Sequence, residues 1–258
     1  LQGRANLVSE TIKPRRTLRT LTKALVGQHR TEGRDLALAT LLAAIAGAAN
    51  AGGFFALGKY TSHMTGYISQ LADNVAILNF AVAGVSVLAV GAFVSGAAFS
   101  TGLINWARLA SNHRQYALPL AVQGAFLMCF SFGGVFSSDA GRLFSLCCLC
   151  FIMGMQNATI TKISGARIRT THATGMVTDI GIEIGRAVFG RVFPASGVGP
   201  NLPKLQILAR LVLSFLIGGL IGAIGYGHLG FFFSLPLALI LLGISLPTLM
   251  PHKAPRPV

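Results

Sequence analysis

The sequence predicts an all-α membrane protein, with six transmembrane helices, two shorter motif helices and a 3+3 inverted-topology repeat. Three observations predict it. Of the 258 residues, 53% are hydrophobic and only 11% charged, whereas a soluble domain carries about a quarter charged residues. Six apolar stretches approach the roughly 20 residues that a helix needs to cross a bilayer. A short motif also occurs twice, as Ser62-His63-Met64-Thr65-Gly66 and Thr171-His172-Ala173-Thr174-Gly175.

Residues 1–34 hold Arg4, Lys13, Arg15, Arg16, Arg19, Lys23, Arg30 and Arg34 against Glu10 and Glu32. They read as a basic, disordered cytoplasmic tail against anionic lipid. An Arg-rich, acid-poor start also suits an organelle transit peptide. The first repeat, residues 35–137, then offers spans at Leu36–Gly58, Phe80–Ile104 and Tyr116–Phe136, with the motif at 61–74. The second, residues 138–250, offers spans at Leu143–Ile160, Ile207–Gly227 and Leu229–Met250, with the motif at 170–183. Residues 251–258 form a short cytoplasmic tail. The motif stretches Met64–Asn79 and Ala173–Gly190 are shorter and more polar than the spans, and are read as not crossing.

Charge fixes that choice. With six crossings and both termini cytoplasmic, 19 of the 21 Lys and Arg residues fall inside, leaving Lys59 and Arg142 outside, as the positive-inside rule requires. Three crossings per half turn the second copy over relative to the first. Inverted repeats of this kind build many secondary transporters, whose sites form where helices break near the repeat interface. The expected setting is the cell (inner or plasma) membrane, or an organelle membrane if residues 1–34 are a transit peptide.

The offset between the two motifs is a constant 109, and upstream Gly47-Ala48-Ala49-Asn50-Ala51 parallels Gly154-Met155-Gln156-Asn157-Ala158 at an offset of 107. With these stretches in view, the chain resembles the YoaK-like family of uncharacterised, mostly bacterial multi-pass membrane proteins. The resemblance is carried by Gly53-Phe54-Phe55-Ala56-Leu57-Gly58 leading into the first motif. In the second half it is carried by Gly154 to Ala158, Lys162-Ile163-Ser164-Gly165-Ala166 and Arg169-Thr170-Thr171-His172. It spans roughly residues 36–250 and departs from the family at Asn50, commonly Asp, and at Tyr67, commonly Asn. It implies a multi-pass membrane protein and no particular substrate.

Candidate ligands for a small solute or ion lie in the two motif regions. Thr65 and Thr174 precede Gly66 and Gly175, which are expected to break helices, since Gly adopts unusual backbone angles and Thr can cap a helix start. His63 and His172 could shuttle protons or bond freed backbone. Asn50, Gln156 and Asn157 are amides that line a polar cavity or bridge helices. Asp179 and Glu183 lie four apart on one helix face, with Arg186 near, and Gln70 and Asn74 occupy the same positions in the first half. Ionisable residues in a membrane mark ion or proton pathways; the alternative is an acidic–basic cluster anchoring the helix at the interface.

The net charge of +14 is interleaved with apolar segments, which favours membrane loops over nucleic acid. Cys129, Cys147, Cys148 and Cys150 lie in apolar runs without nearby His or acidic ligands, so no metal is expected. No phosphate loop, nucleophile elbow, zinc-protease helix or cofactor fingerprint occurs, and the reading is a non-enzyme without cofactor. A secondary transporter or permease for a small solute or ion, proton included, uses every feature. A non-transporting assembly, sensor or partner-binding protein in the lipid bilayer uses the spans alone. An intramembrane enzyme would need a catalytic set, and none can be named. Oligomeric state is left open.

Overall fold

The structure, a computed structural model, describes residues 31–110, 114–132, 138–163 and 173–250. Residues 1–30 of the basic tail, residues 251–258 and the Thr171-His172 part of the second motif lie outside the described residues, while residues 32–34, expected in the tail, already belong to α1. Among those described there are eight α-helices and no strand: α1 Glu32–Leu57, α2 Met64–Ala76, α3 Phe80–Ala110, α4 Ala117–Ser131, α5 Asp139–Ile163, α6 Ala173–Val192, α7 Leu202–Leu229 and α8 Ser234–Leu249. Between the halves, helix starts are offset by 107 for Glu32 and Asp139, by 109 for Met64 and Ala173, and by 122 for Phe80 and Leu202.

Two of the six expected spans, α4 and α8, are helices of only 15 and 16 residues. Four helical stretches are long and apolar enough to cross a membrane: Glu32–Phe55, Phe80–Ala110, Asp139–Lys162 and Leu202–Leu249. The last is a 48-residue stretch that joins α7 to α8 through a 3-10 turn, Gly230–Phe233. α4 is a shorter apolar helix of 15 residues, about 22 Å long at 1.5 Å per residue against a hydrocarbon core of about 30 Å. The sequence overstated it because the apolar run continues past Ser131 while the helix stops there. α6, expected to be short, has 20 residues.

Local chemistry explains the ends. Thr31 caps α1, its side chain accepting from the Arg34 N–H, and Glu32 and Asp35 sit in the first turn, where the helix dipole favours negative charge. Gly58 ends α1 in the left-handed region at φ 67, the conformation Gly adopts without steric penalty. At the end of α3, Arg108 Nε donates to Gln115 Oε1 at 2.6 Å, tying it to the start of α4.

Neighbours in sequence are mostly not neighbours in space. α1 packs along α7, and α3 along α5; α4 packs on α8, while α2 lies on α3 and α6 on α7. The core between them is aliphatic, with Leu38, Leu42, Leu120, Leu127, Leu149, Ile152 and Leu241 fully buried. Glycines set how close the long pairs come. A Cβ on Gly154 would strike the Phe93 carbonyl and lie 3.1 Å from Ala97 N, and one on Gly47 would strike the Phe215 carbonyl and lie 2.9 Å from Gly219 N. Conversely, Gly96 abuts Phe151 and Gly218 abuts Ala44. Gly218 and Gly222 are thus spent inside the molecule, against Ala44 and Ala48 of α1, the close backbone approach that small residues allow in lipid.

The outer faces carry large apolar side chains. Val87, Leu88, Val94, Phe99 and Trp106 of α3 are exposed, as are Leu213, Leu216, Leu220 and Ile224 of α7. An apolar surface of this extent is foreign to soluble monomers and suits lipid tails.

Candidate functional site

The first motif is positioned by an amide late in α1. Asn50 Oδ1 accepts three hydrogen bonds, from the Thr61 N–H at 3.0 Å, the Ser62 N–H at 3.1 Å and the Ser62 hydroxyl at 3.0 Å. These fold residues 58–63 back over the end of α1, with Tyr60 stacked on Phe54 at 5.0 Å between ring centroids. α2 then starts at Met64. His63 stands at its N-cap, and no side chain caps the helix, so the amides of its first turn lack the partner that a Ser, Thr or Asn would give.

Two expectations are corrected here. Gly66 does not break a helix, being the third residue of α2, and Gly175 is helical, the third described residue of α6. Gly66 is needed for space, because a Cβ there would run into the His63 imidazole. Nor does Thr65 cap α2, since the cap position belongs to His63.

The two halves meet at one cavity of about 770 Å³. From the first half it is lined by Asn50, Tyr60, Ser62, His63, Met64 and Thr65, with Phe93 and Thr101 of α3. From the second it is lined by Asn157, Ala158, Thr161 and Lys162 at the end of α5, Ala173 and Thr174 at the start of α6, and Phe215 of α7. Residues paired by the sequence offsets are thus all in its lining: Asn50 and Asn157, Met64 and Ala173, Thr65 and Thr174, Phe93 and Phe215. Asn157 differs from Asn50 in one respect. Its Oδ1 is buried with no hydrogen-bond partner among the described residues, where Asn50 Oδ1 is fully engaged.

The remaining candidates are elsewhere. Gln156 is buried and donates its amide to the Leu42 carbonyl of α1, so it bridges α5 to α1. Gln70 Oε1 accepts from Ser86 of α3 at 3.1 Å, and Asn74 Nδ2 donates to the Gln70 carbonyl at 2.7 Å. Asp179 pairs with Lys204 of α7 at 3.4 Å. Glu183, 2% exposed, sits 3.8 Å from Lys204 and 3.7 Å from Arg186, and its Oε2 accepts from the Asn201 N–H at 2.7 Å. The polar face shared by the two motif helices thus fastens each to the span that follows, by a hydroxyl in one half and by ion pairs in the other. None of these five residues lines the cavity. His172 lies outside the described residues.

Glu183→Ala is expected to lower stability by about 1–3 kcal/mol, the cost of leaving buried hydrogen-bonding groups unpaired, read as a lower thermal midpoint in detergent. Glu183→Gln should recover part of it, because its amide oxygen can still accept from Asn201.

Sequence reasoning missed Phe93 and Phe215, Tyr60, Ser62, Thr101, Thr161 and Lys162. A signal for the first pair existed: Phe93-Val94-Ser95-Gly96 and Phe215-Leu216-Ile217-Gly218 are both Phe-x-x-Gly, but at an offset of 122, outside the 107–109 register. Among the described residues no group of His, Cys, Asp and Glu is placed to hold a metal ion.

No curated protein and no solved structure matches the chain. Residues 38–246, which hold all the lining residues, match the model of a family described as proteins of unknown function, DUF1275, and the chain belongs to that family.

Proposed function

We propose that this protein is a membrane permease for a small polar solute or ion, and that the cavity between its halves is the site where the solute binds. One observation carries the reading: two motifs far apart in sequence place equivalent residues, Asn50 with Asn157 and Thr65 with Thr174, in the lining of a single cavity. A repeat kept only for packing has no need of that convergence. Cavities at the interface of internal repeats, walled by helix ends, are where secondary transporters bind their substrates.

In this reading α1, α3 and the short α4 cross the membrane, and α5, α7 and α8 cross it in the opposite sense, with the turn at Gly230–Phe233 as the boundary between the last two. α2 and α6 enter only as far as the cavity. The paired packing supports it, since α1 on α7 repeats as α5 on α3, with the same glycine-to-phenylalanine carbonyl contact in each. The charge distribution supports cytoplasmic termini.

The test is flux through purified protein in sealed vesicles, across a panel of small anions, cations and neutral solutes, with and without a pH gradient. At least one solute class should enter faster than in protein-free vesicles. Thr174→Val and Asn157→Leu should slow it about tenfold or more, the usual effect of deleting hydrogen bonds to a bound polar group. Folded protein that moves no solute in any condition would overturn the proposal and leave a non-transporting assembly or sensor protein as the better reading.

A further inference from the structure

Two helices in equivalent places carry opposite outer faces. α3 and α7 correspond at the offset of 122, which pairs Phe93 with Phe215 and Gly96 with Gly218. On α7 the residues turned outward are large: Leu213, Ile217, Leu220 and Ile224 are all exposed. The positions paired with them on α3 are Gly91, Ser95, Ala98 and Gly102, and these too are exposed. α7 carries the bulky face that suits lipid tails, and α3 departs from it at each of the four. Nothing stands within 4 Å of the place a Cβ would take on Gly91 or Gly102, whereas Gly96 of the same helix is spent against Phe151. Gly is a poor helix former, and what it offers a membrane helix is the close approach of another helix. Among the described residues no helix makes that approach to Gly91 or Gly102.

The spacing and chemistry of this face define what fits it. Gly91, Ser95, Ala98, Gly102 and Asn105 follow one another by 4, 3, 4 and 3 residues, the seam of a left-handed helix pair. The seam covers about 21 Å at 1.5 Å per residue, most of a hydrocarbon core of about 30 Å. Val94 and Phe99, both exposed, flank it as walls. Val87 and Leu88 close it at one end, which leaves Gly84 outside. Residues 80–107 hold no charge, and Arg108 is held by Gln115 and Tyr116, so two like copies meet without repulsion. The Ser95 hydroxyl donates to the Ala92 carbonyl of its own helix at 2.9 Å, so it brings no unpaired donor into a dry contact. Asn105 is exposed, and its amide, donor and acceptor at once, is its own complement.

We infer that the chain forms a two-fold dimer in the membrane, with α3 packed parallel against α3 of a second copy. The contact runs along Gly91, Ser95, Ala98 and Gly102, and the two Asn105 amides pair at its end. Copies inserted the same way round are related by an axis along the bilayer normal, which sets the same patch against itself. The dimer does not depend on the permease reading, because it uses only the outer face.

Purified full-length protein in a mild detergent is weighed by light scattering after size exclusion, and two chains per particle are expected. Gly91→Leu combined with Ala98→Leu gives α3 the face that α7 has, and should leave one chain per particle. Its thermal midpoint should stay near the parent's once the parent is itself dissociated by dilution. Leu213→Ala combined with Leu220→Ala on α7 should keep the two-chain mass. In native membranes, with no detergent present, Ala98→Cys treated with a short bismaleimide should give a covalent dimer beyond any formed by the parent. Leu220→Cys should give none beyond the parent.

A two-chain particle that survives the double leucine change would overturn the inference, as would equal crosslinking from Ala98→Cys and Leu220→Cys. One chain per particle, with no Ala98→Cys product in membranes, would overturn it and leave lipid against α3. A product joining Ala98→Cys to a different protein would overturn it in favour of a foreign partner.

Discussion

Replacing Gly154 by Val should leave almost no folded protein, and Gly47→Val should do the same. A Cβ at either site lands on a backbone carbonyl of the facing helix, Phe93 or Phe215, and within 3.1 Å or 2.9 Å of a backbone nitrogen one turn on. A flexible side chain could turn away from such a contact, but a backbone carbonyl moves only if the whole helix shifts. Overpacking in a fitted interior costs about 1–3 kcal/mol and sometimes more, and here Val adds two further methyl groups to the clash. The loss should appear as aggregation on size-exclusion chromatography of detergent extracts. Gly84→Val and Gly243→Val, where nothing stands within 4 Å of the place a Cβ would take, are the controls and should elute as the parent does. If Gly154→Val elutes normally, α3 and α5 are not in the contact described.

The second large effect separates the two asparagines. Asn50→Ala should cost about 1–3 kcal/mol for each donor stranded, because the Thr61 and Ser62 N–H groups and the Ser62 hydroxyl all rely on its one oxygen, and Thr61 is wholly buried. The motif would lose its place and any activity would fall with the fold. Asn157→Ala removes an oxygen with no partner among the described residues, so its thermal midpoint should stay near the parent's while solute binding falls. Equal destabilisation by both would show that Asn157 also holds structure, and would remove it from the site.

Much of this could be read from residue types and spacing. The low charge content and the apolar runs gave the helices, because a helix in lipid must be apolar along its whole length to satisfy its surroundings. The motif pairs led to the cavity, since both copies contribute an Asn and a Thr to its lining. Other features were not legible. The end of α4 at Ser131 is one, because the apolar run carries on past it and hydropathy does not mark the stop. Asp179 and Glu183 drew attention as rare acids in a membrane, yet their partner Lys204 lies in another helix, and only packing could show that it neutralises them. Lys162 looked like loop charge because the expected span ends at Ile160 while α5 runs on to Ile163. Phe93 and Phe215 escaped because the register between the halves changes after the motif.

That change of register has a consequence of its own. The helix starts are 109 apart at α2 and α6 but 122 apart at α3 and α7. The added length is divided between α6, with 20 residues against 13 in α2, and the connection after it, which runs over residues 193–201 where the first half turns within 77–79. One copy makes its corner so tightly that Leu78 is held at φ 58. The other swings wide through a 3-10 turn and locks with an ionic clasp. The two copies are thus near-twins around the cavity and strangers at the hairpin. A carrier whose halves exchanged roles by symmetry alone would rest equally in either orientation. In the permease proposed above, the wide, clasped corner would have to be worked differently from the tight one, so two resting states would differ in energy before any solute or ion gradient is applied.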